Sequence, residues 1–572
     1  MISNSLYNVR QIKDLKDMIE QSEKLFGSKN AFLIKNKDGT YKGITYSKFK
    51  SDMEAFGSAL LGLGLKGKFI AVIGENRYEW CLAYTSIVNG AGIVVPLDKE
   101  LPISEIENLL LRSNAVAVVF SGKFSSEMKG ISRSCKSIKH FINMDIEHDE
   151  GEFLSFRGLI DKGRELINGG DRSYQNTVID AEGMSILLFT SGTTDLAKGV
   201  MLSHKNICSN ITSVCSTVKI HSEDSSLSIL PLHHTYECTL GFLALIYSGA
   251  TISFNEGLKH IAKNLKEVRP TVLIAVPLIL ENVYRKVWEQ AGKKRFMKIK
   301  LKLALFVSNI LYTVFKLDIR KKLFKQIHEN IGGNVRLIIT GAAAIDPCVA
   351  KWFRWIGIKV LQGYGLTECS PLVTGNRDDA FIDSSAGLPI PGVNVRIDNP
   401  NENSIGEVVV KGDNVMLGYF DNETATQKSI KDSWFYTGDL GYFNKAGFLF
   451  LTGRSKNVII AKNGKNVFPE EVESYINRSP YVKESLVCGV HDDISGEISI
   501  NAQIFPNLDA ITEKLKTISI TKEDLMNVIG SVIKSVNKDM PIYKRIRHFS
   551  IRDNEFIKTT TNKIKRHSVK MI

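Results

Sequence analysis

Short apolar runs alternate with amphipathic stretches over the first 350 residues of the chain. Runs typical of buried strands lie at Phe69–Ile73, Gly92–Pro96 and Ala115–Phe120. The stretches between them predict helices over Tyr46–Leu63, about Glu79–Asn89, and Ile103–Ser113. Strands separated by helices of about 10–15 residues predict a mostly parallel, doubly wound α/β sheet.

The pattern changes after about residue 380. From Gly387 to Phe450 the runs are short and rich in Val and Ile, which predicts a small antiparallel β-barrel or sheet. Residues 454–572 return to a mixed α/β pattern. We therefore predict an N-terminal domain of residues 1–453, barrel-like from about 385 to 453, and a C-terminal domain of residues 454–572. The junction at Gly453–Lys456 has no Pro/Gly-rich linker, which predicts a tight hinge.

The composition is that of a folded protein, with 43% hydrophobic and 24% charged residues. At 572 residues the chain is too long for one hydrophobic core. None of the eight cysteines has C-x-x-C spacing, which disfavours a disulfide framework or a zinc site and predicts reduced thiols. The N-terminus has no apolar segment of signal-peptide length, so we expect a cytoplasmic protein.

The net charge of +13 is concentrated in one segment. Residues 293–325 hold eleven Lys and Arg against one acid, Asp318. Two interpretations remain open: a solvated pair of basic helices, or a surface that contacts an anionic membrane with the apolar run Leu303–Phe315 partly inserted. That run is shorter than the roughly 20 residues needed to span a bilayer. Nucleic acid is not expected as a partner, because no aromatic residues are interleaved with the basic ones in a binding motif.

One segment is rich in groups that bind phosphate. A strand-like run, Ile186–Phe189, leads directly into four hydroxyl residues and a glycine, at Thr190, Ser191, Gly192, Thr193 and Thr194. Hydroxyls donate hydrogen bonds to phosphate oxygens, and glycine lets backbone N–H groups approach closely. Lys198 adds a cation for a leaving pyrophosphate. The spacing is not that of a Walker A loop, and by composition alone a Ser/Thr-rich surface turn is the better interpretation.

The motifs around this segment resemble those of a known family. Thr190–Val200 resembles the phosphate loop of the adenylate-forming superfamily, which includes acyl-CoA synthetases, luciferases and peptide-synthetase adenylation domains. Seven further segments resemble the family's motifs in the same order: Pro231–Tyr236, Arg269–Pro277, Gly341–Ala344, Gln362–Glu368, Tyr436–Asp439, Gly453–Arg454 and Lys558–Lys563. The match covers about residues 25 to 570, and it is most like the long-chain fatty acyl-CoA synthetases.

The resemblance implies both a fold and an activity. The fold is α/β: a large N-terminal domain of two doubly wound α/β subdomains plus a small β-barrel, followed by a small mobile α+β C-terminal domain. The activity is that of an ATP-dependent acid–thiol ligase with ATP, Mg²⁺ and coenzyme A as cofactors. It converts a medium- or long-chain fatty acid to acyl-AMP with release of pyrophosphate, and then to acyl-CoA with release of AMP.

The resemblance also assigns the nucleotide site. The phosphates are bound by the loop residues Thr190, Ser191, Gly192, Thr193, Thr194 and Lys198, of which Thr194 is also a catalytic candidate. Adenine and the α-phosphate are contacted by Gly341, Ala342, Tyr364, Gly365 and Thr367. Glu368 is the Mg²⁺ ligand, a hard oxygen donor for a hard cation. Asp439 accepts hydrogen bonds from the ribose hydroxyls, and Arg454 braces the ribose.

Four more residues are assigned to the two half-reactions by the same resemblance. Lys563 neutralises the approaching carboxylate and the α-phosphate together, although Asn562 stands where the family usually has glycine before it. His234 gates the acyl entrance. Lys456 is the hinge residue about which the C-terminal domain rotates, and Gly464 lets the pantetheine arm of CoA pass after the rotation.

Two alternatives to the CoA ligase remain at this point. One is an acyl-AMP ligase that loads an acyl carrier protein. The other is a catalytically silent relative that docks on a membrane. In all three cases we expect a cytoplasmic protein, either free or peripheral on the inner face of the membrane.

Overall fold

The computed structural model describes residues 5–190, 197–293, 296–460, 466–491, 498–517, 519–558, 564–566 and 569. In chain order, the strands of these residues are β1 (Asn30–Lys35), β2 (Tyr41–Thr45), β3 (Lys68–Ile73), β4 (Gly92–Pro96), β5 (Ala117–Phe120), β6 (His140–Asn143), β7 (Phe153–Ser155), β8 (Met184–Thr190), β9 (Lys198–Ser203), β10 (Ser225–Ser228), β11 (Thr251–Phe254), β12 (Val272–Ala275), β13 (Leu337–Thr340), β14 (Lys359–Gly365), β15 (Leu372–Gly375), β16 (Leu388–Pro389), β17 (Val393–Asp398), β18 (Gly406–Gly412), β19 (Gly418–Tyr419), β20 (Ile430–Lys431), β21 (Trp434–Phe443), β22 (Leu449–Arg454), β23 (Ile459–Ile460), β24 (Asn466–Val467), β25 (Val482–His491), β26 (Ile498–Pro506) and β27 (His548–Ile551).

The α-helices of the same residues are α1 (Leu15–Phe26), α2 (Tyr46–Gly62), α3 (Tyr78–Ser86), α4 (Ile103–Arg112), α5 (Ser125–Ser134), α6 (Phe156–Asn168), α7 (His204–Cys215), α8 (Ala244–Ser248), α9 (Ile261–Val268), α10 (Pro277–Gly292), α11 (Met297–Phe315), α12 (Arg320–Leu323), α13 (Lys325–Asn330), α14 (Pro347–Trp355), α15 (Glu423–Ser429), α16 (Pro469–Ile476), α17 (Leu508–Leu515) and α18 (Lys522–Lys538). Two π-helical stretches, Ile87–Ala91 and Tyr236–Leu243, follow α3 and precede α8.

Two large sheets form the first part of the chain. The nine-stranded sheet has the order β16-β15-β14-β13-β12-β10-β11-β1-β2, and the eight-stranded sheet has the order β19-β9-β8-β4-β3-β5-β6-β7. The central pairs of both sheets are parallel, whereas β2, β15 and β16 of the first and β9 and β19 of the second pair antiparallel. The predicted doubly wound α/β architecture is therefore confirmed.

The predicted elements lie within a few residues of the observed ones because their buried faces follow the expected periods. β4 has the predicted bounds, β3 begins one residue earlier, and β5 begins two residues later. Thr45 caps α2, its hydroxyl accepting from the backbone N–H of Lys48, and the helix starts at the predicted residue. The predicted helix over 79–89 is shorter, because the chain changes to π-helix after Ser86.

The two sheets share one core. A single cluster of buried side chains takes Phe32 and Ile252 from the nine-stranded sheet and Val94 and Ile186 from the eight-stranded sheet. Helices α2, α3 and α7 contribute to the same cluster, so they pack between the sheets. Strand β19, which pairs with β9 of the eight-stranded sheet, reaches the turn after β14 of the nine-stranded sheet, where Tyr419 contacts Glu368.

The segment after residue 390 forms the antiparallel part of the fold. Its strands are ordered β17-β18-β21-β20, and β22 pairs with β21. In the described residues this order is open, so of the two forms that the sequence left possible the structure has the sheet. The β21–β22 register places Asp439 opposite Arg454.

The last part of the chain is α+β and has a core of its own. Strands β25, β26 and β27 form one sheet, and α16, α17 and α18 supply buried residues to the same cluster, among them Val472, Ile511 and Ile529. One ion pair connects this part to the nine-stranded-sheet side: Nε of Arg478 lies 3.5 Å from Oδ2 of Asp346, at the start of α14. Cys348, two residues farther on, is exposed.

Two further expectations concern thiols and membranes. All eight cysteines are free thiols and seven of them are buried, as the absence of C-x-x-C spacing suggested. Among the described residues, no helix combines the length and the apolar continuity needed to cross a bilayer.

Candidate active site

The candidate phosphate-binding segment joins two paired strands. Thr190 ends β8 and Lys198 begins β9, and the two residues are register partners in an antiparallel hairpin. The Thr190 hydroxyl donates to the carbonyl of Lys198 at 3.4 Å. The intervening candidates Ser191, Gly192, Thr193 and Thr194 lie outside the described residues. The hairpin thus fixes the two ends of the segment.

Tyr419 links this hairpin to the candidate metal ligand. Its strand β19 pairs with β9, opposite Val200, and its hydroxyl donates to Oε1 of Glu368 at 3.0 Å. Nζ of Lys198 lies over the Tyr419 ring, 4.5 Å from its centre, within the range of a cation–π contact. Burial and the Glu368 carboxylate both raise the pKa of Tyr419, so its hydroxyl stays a donor at neutral pH. One side chain thereby holds a cation over its ring face and a carboxylate at its hydroxyl.

A second group of motif residues surrounds Asp439. Its Oδ2 accepts a 2.7 Å hydrogen bond from the Tyr364 hydroxyl, and its Oδ1 lies 2.8 Å from Nε of Arg454. The backbone N–H of Asp439 donates to the hydroxyl of Thr437. The Asp439 side chain is only 11% exposed, whereas that of Arg454 is 44% exposed. Burial first, and then Asp439, raises the pKa of Tyr364. The carboxylate is held on both oxygens and still has lone pairs to offer.

Two glycines and one residue with a positive φ shape the backbone between the group around Tyr419 and the group around Asp439. Gly341 and Ala342 follow β13, and Ala342 has a positive φ of 67°. A Cβ at Gly341 would come within 3.4 Å of the carbonyl of Gly363 and of the Tyr236 ring. At Gly365 it would overlap the carbonyl of Pro371, so only glycine fits there. Thr367 and Glu368 form a short 3₁₀ turn after β14.

His234 has two neighbours that the sequence did not single out. His233 and His234 have ring centres 4.1 Å apart, and Nε2 of His233 lies 3.4 Å from Oδ2 of Asp98. One ligand atom from each of the three residues lies within 4.8 Å of the others, so a cation would find one carboxylate and two imidazoles there. Asp98 follows β4 of the eight-stranded sheet, and His233, 135 residues later, lies in the turn after β10 of the nine-stranded sheet, so the packing of the two sheets brings them together.

A cavity of about 600 Å³ opens beside the hairpin. Two cations, Arg112 and Lys198, contribute to its wall, and Nη2 of Arg112 donates to the carbonyl of Ala197 at 2.8 Å. The described end of the hairpin, at Lys198, therefore borders open space whose wall holds two cations and one carboxylate, Asp421.

Of the three C-terminal candidates, the structure describes one. Lys456 is in a 3₁₀ turn, Ser455–Asn457, directly after β22. Gly464 and Lys563 lie outside the described residues. The residues on either side of the Lys563 segment are paired: Lys558 forms an antiparallel bridge with Ile564, and its ammonium group contacts Glu484 and Glu555.

Arg566 forms a second attachment after this segment. Its Nη2 lies 2.5 Å from Oε2 of Glu473, and its Nη1 donates to the carbonyl of Val487. The Glu473 side chain is only 13% exposed, and the loss of water raises its pKa to about 7 although Arg566 opposes the shift. The described residues before and after position 563 are therefore fixed to the C-terminal core.

Comparison with known proteins decides the family. A family model described as AMP-binding enzyme matches residues 20–420, and one described as AMP-binding enzyme C-terminal domain matches residues 456–571. The chain belongs to the AMP-binding enzyme family. The predicted superfamily is thereby confirmed, and the chain is an ATP-binding enzyme of the AMP-forming ligase type.

Several curated relatives of this AMP-binding enzyme are named for fatty acids. Fatty acyl-CoA synthetase B of Dictyostelium discoideum is 27% identical, over 98% of this chain and 89% of the relative. Long-chain-fatty-acid–CoA ligase 5 of Mus musculus is 30% identical, over 78% of this chain and 69% of the relative. The chloroplastic long-chain-fatty-acid–[acyl-carrier-protein] ligase AEE15 of Arabidopsis thaliana is 26% identical, over 90% of this chain and 80% of the relative.

A solved structure shows the same fold. The anthranilate CoA ligase AuaEII, in complex with anthranoyl-AMP, superimposes on this AMP-binding enzyme with a TM-score of 0.75. The superposition covers 99% of this chain and 97% of that one, at 21% identity. At that identity the likeness establishes the fold, including the separate α+β C-terminal part.

Proposed function

We propose that the protein converts a medium- or long-chain fatty acid, with ATP, to acyl-AMP and pyrophosphate, and then transfers the acyl group to coenzyme A with release of AMP. The observation that carries the proposal is the position of Tyr419. It holds Glu368 by a hydrogen bond and Lys198 by its ring, beside a hairpin whose ends are hydroxyl- and cation-bearing residues. Such a pair suits a polyphosphate bound with a divalent cation.

The nucleotide would lie between the two groups of residues. Tyr364 and Gly365, with Gly341 and Ala342, would contact adenine, while Asp439 and Arg454 hold the ribose. Thr367 would donate to the α-phosphate, because it lies between Tyr364 of one group and Glu368 of the other. The proposal is supported by the hydrogen bonds that already fix Tyr364, Asp439 and Arg454, because a preorganised site loses little entropy on binding.

Glu368 fits a magnesium site. It is a partly buried carboxylate whose Oε1 accepts one hydrogen bond, which leaves lone pairs for a cation. Mg²⁺ typically takes one or two protein carboxylates and completes its shell with phosphates and water. When bound, the ion would neutralise charge on the phosphates as pyrophosphate leaves.

Charge neutralisation also explains the role proposed for Lys563. The acid and the α-phosphate are both anions, and their approach is unfavourable without a cation between them. The paired residues on either side, Lys558 with Ile564 and Arg566 with Glu473, would hold that part of the chain against the C-terminal core during the reaction. His234 would control access of the acid beside Asp98 and His233.

The second half-reaction requires a domain movement. We assign residues 1–453 to an adenylation domain and 454–572 to a mobile C-terminal domain that turns at Lys456. Its separate core and the 3.5 Å ion pair between Arg478 and Asp346 support this division, because an exposed pair of that kind contributes little stability. After the turn, Gly464 would admit the pantetheine thiol to the acyl-AMP carbonyl.

Acid-dependent exchange between pyrophosphate and ATP tests the first step. The purified chain, with Mg²⁺ and ATP, is offered acids from acetate to stearate together with aryl acids, and CoA thioesters are measured in parallel. We expect exchange and thioester formation to peak with medium- or long-chain fatty acids. A preference for aryl acids would contradict the substrate, and no exchange with any acid would contradict the enzyme activity.

One observation favours a second acceptor. The AEE15 relative, similar over 90% of this chain, is named as a ligase for an acyl carrier protein. Replacing CoA by a phosphopantetheinylated carrier protein in the same assay separates the two. Acyl transfer to the carrier at a higher kcat/KM than to CoA would favour this alternative. We place either activity in the cytoplasm, in keeping with the eight free thiols.

A further inference from the structure

Helix α11 exposes apolar side chains along one face. Its outer stripe, defined here as Ile299, Leu303, Phe306, Ile310 and Val314, has spacings of four, three, four and four residues, which align on one side of a helix. These side chains are between 36% and 67% exposed. A surface helix of a globular protein normally shows polar residues on that side.

The opposite face of α11 is already occupied. Leu305 is buried in the core cluster next to the nine-stranded sheet, and Leu301 and Ala304 pack against the same cluster. Ser308 is also buried, with its hydroxyl donating to the carbonyl of Leu305. Because the inner face holds the helix on the protein, the apolar outer stripe is a fixed surface feature.

Lysines flank the outer stripe. Lys298, Lys300 and Lys302 are exposed, and by helical geometry Lys300 lies on one side of the stripe and Lys298 and Lys302 on the other. Within the described residues, none of the three forms an ion pair with a carboxylate. The one acid of residues 293–325, Asp318, is paired with Arg320 at 2.6 Å, and this contact lowers its pKa.

This combination selects one kind of partner. A second copy of the chain would bring lysines against lysines, so self-association through the stripe is opposed by charge. Nucleic acid would neutralise the lysines, but it would not cover the five aliphatic and aromatic side chains of the outer stripe. An anionic bilayer accommodates both the outer stripe and the lysines, because acyl chains cover the stripe while the lysines reach lipid phosphates.

We propose that α11 is a membrane-docking surface that lies parallel to an anionic lipid bilayer, with its outer stripe below the headgroups and Lys298, Lys300 and Lys302 at the level of the phosphates. Phe315 at the end of the helix, and Leu317 and Lys321 after it, are exposed and continue the same mixture of apolar and basic character. The proposal concerns binding to lipid and holds whichever acid the active site uses.

Flotation of the full-length protein with vesicles tests the proposal, without nucleotide or acid. We expect binding to phosphatidylcholine vesicles that contain phosphatidylglycerol, and weaker binding without phosphatidylglycerol or at high salt. The triple variant Leu303→Gln/Phe306→Gln/Ile310→Gln should bind these vesicles at least about tenfold more weakly than the wild type. The triple variant Lys298→Gln/Lys300→Gln/Lys302→Gln should lose affinity to a similar extent.

Matched variants control for exposed apolar area and for net charge. Val178→Gln/Leu258→Gln removes two exposed apolar side chains elsewhere, and Lys129→Gln/Arg133→Gln/Lys136→Gln removes three charges on and after α5. Both should bind like the wild type, and all four variants should keep the wild-type melting temperature and ATP–pyrophosphate exchange. Wild-type binding by either α11 variant would overturn the proposal. The proposal would also be overturned if the Leu303→Gln/Phe306→Gln/Ile310→Gln variant bound vesicles like the wild type and changed only the oligomeric state measured without lipid.

Discussion

The hydroxyl of Tyr364 donates a 2.7 Å hydrogen bond to Oδ2 of Asp439, across 75 residues of chain. Arg454, opposite Asp439 in the β21–β22 register, contacts the other oxygen at 2.8 Å. An aromatic ring, a carboxylate and a guanidinium therefore keep fixed relative positions before any nucleotide binds. This relationship makes the ribose contact the first part of the proposed site to test.

Replacing Asp439 by Asn should weaken nucleotide binding. The change removes the ionised acceptor and turns an N–H₂ group toward either Tyr364 or Arg454, both of which are donors. Hydrogen bonds to charged groups contribute about 1.5–3 kcal/mol, so the KM for ATP should rise about 10- to 100-fold. Pyrophosphate exchange measures it. Asp432→Asn, in an exposed turn, should leave the KM unchanged, and an unchanged KM for Asp439→Asn would remove this residue from the site.

Tyr419→Phe should raise the Mg²⁺ requirement. The substitution keeps the ring beneath Lys198 but removes the donor that orients Glu368. A lost hydrogen bond of about 1 kcal/mol corresponds to about a fivefold higher Mg²⁺ concentration for half-maximal exchange. Tyr442→Phe is the matched control, because Tyr442 in β21 stacks on Phe450 in β22 and has no contact with Glu368 among the hydrogen bonds described. Equal Mg²⁺ dependence in both variants would show that Tyr419 does not act through Glu368.

Lys563→Ala should separate the two half-reactions. Without the cation, adenylation should fall by about two orders of magnitude or more, since two anions must then meet unaided. Thioester formation from supplied acyl-AMP should be largely retained, because that step does not bring the anions together. Lys534→Ala, on the exposed side of α18, should affect neither step. Equal losses in both half-reactions would contradict the proposed role.

Gly365→Ala should destabilise the protein at the end of β14. The added methyl group would overlap the backbone carbonyl of Pro371, and backbone cannot move aside as a flexible side chain can. Overpacking of this kind typically costs about 1–3 kcal/mol, seen as a lower melting temperature. Gly130→Ala, in α5 with no atom within 4 Å of the new Cβ, should be neutral or stabilising. A melting temperature for Gly365→Ala at or above that of the wild type would refute the close approach.

Glu237→Gln should change how stability depends on pH. Burial raises the pKa of Glu237 from 4.5 to about 8, with the Ser228 hydroxyl opposing the shift. Between those values the folded state holds a proton that the unfolded state has released, so stability falls by about 1.4 kcal/mol per pH unit as the pH rises, and levels off above 8. The neutral Gln removes this dependence.

Thermal melts of both proteins from acid to alkaline pH measure the effect. The stability of the wild type relative to Glu237→Gln should decrease from pH 4.5 to 8 and then stay constant. Glu127→Gln, exposed on α5, should differ from the wild type by a constant amount. A constant difference for Glu237→Gln as well would mean that Glu237 is ionised in the folded protein.

The regular elements and the motif residues were accessible from the sequence. Strands such as β4 and helices such as α2 could be predicted because burial of one face imposes a regular spacing of apolar residues along the local sequence. Glu368, Asp439 and Arg454 were found because the resemblance preserves their order along the chain. What the sequence indicated for these residues was their type and neighbourhood, and the structure adds which atoms they contact.

The remaining parts depend on contacts between distant segments. Tyr419 lies in a two-residue strand, and nothing in its local sequence indicates that it pairs with β9 and reaches Glu368. Asp98 and His233 meet only because β4 and the turn at 231–235 approach in three dimensions. For α11, the run Leu303–Phe315 predicted apolar character, but the face that is exposed follows from how Leu305 packs on the core.

Seven of the eight thiols are buried, and the exposed one, Cys348, lies two residues from Asp346, where Arg478 of the C-terminal part makes contact. The chain therefore has one exposed thiol that a fluorophore can label, beside the contact between Asp346 and the C-terminal part. If the proposed movement of the C-terminal domain breaks that contact, a dye on Cys348 would report it during turnover, without a cysteine-free background.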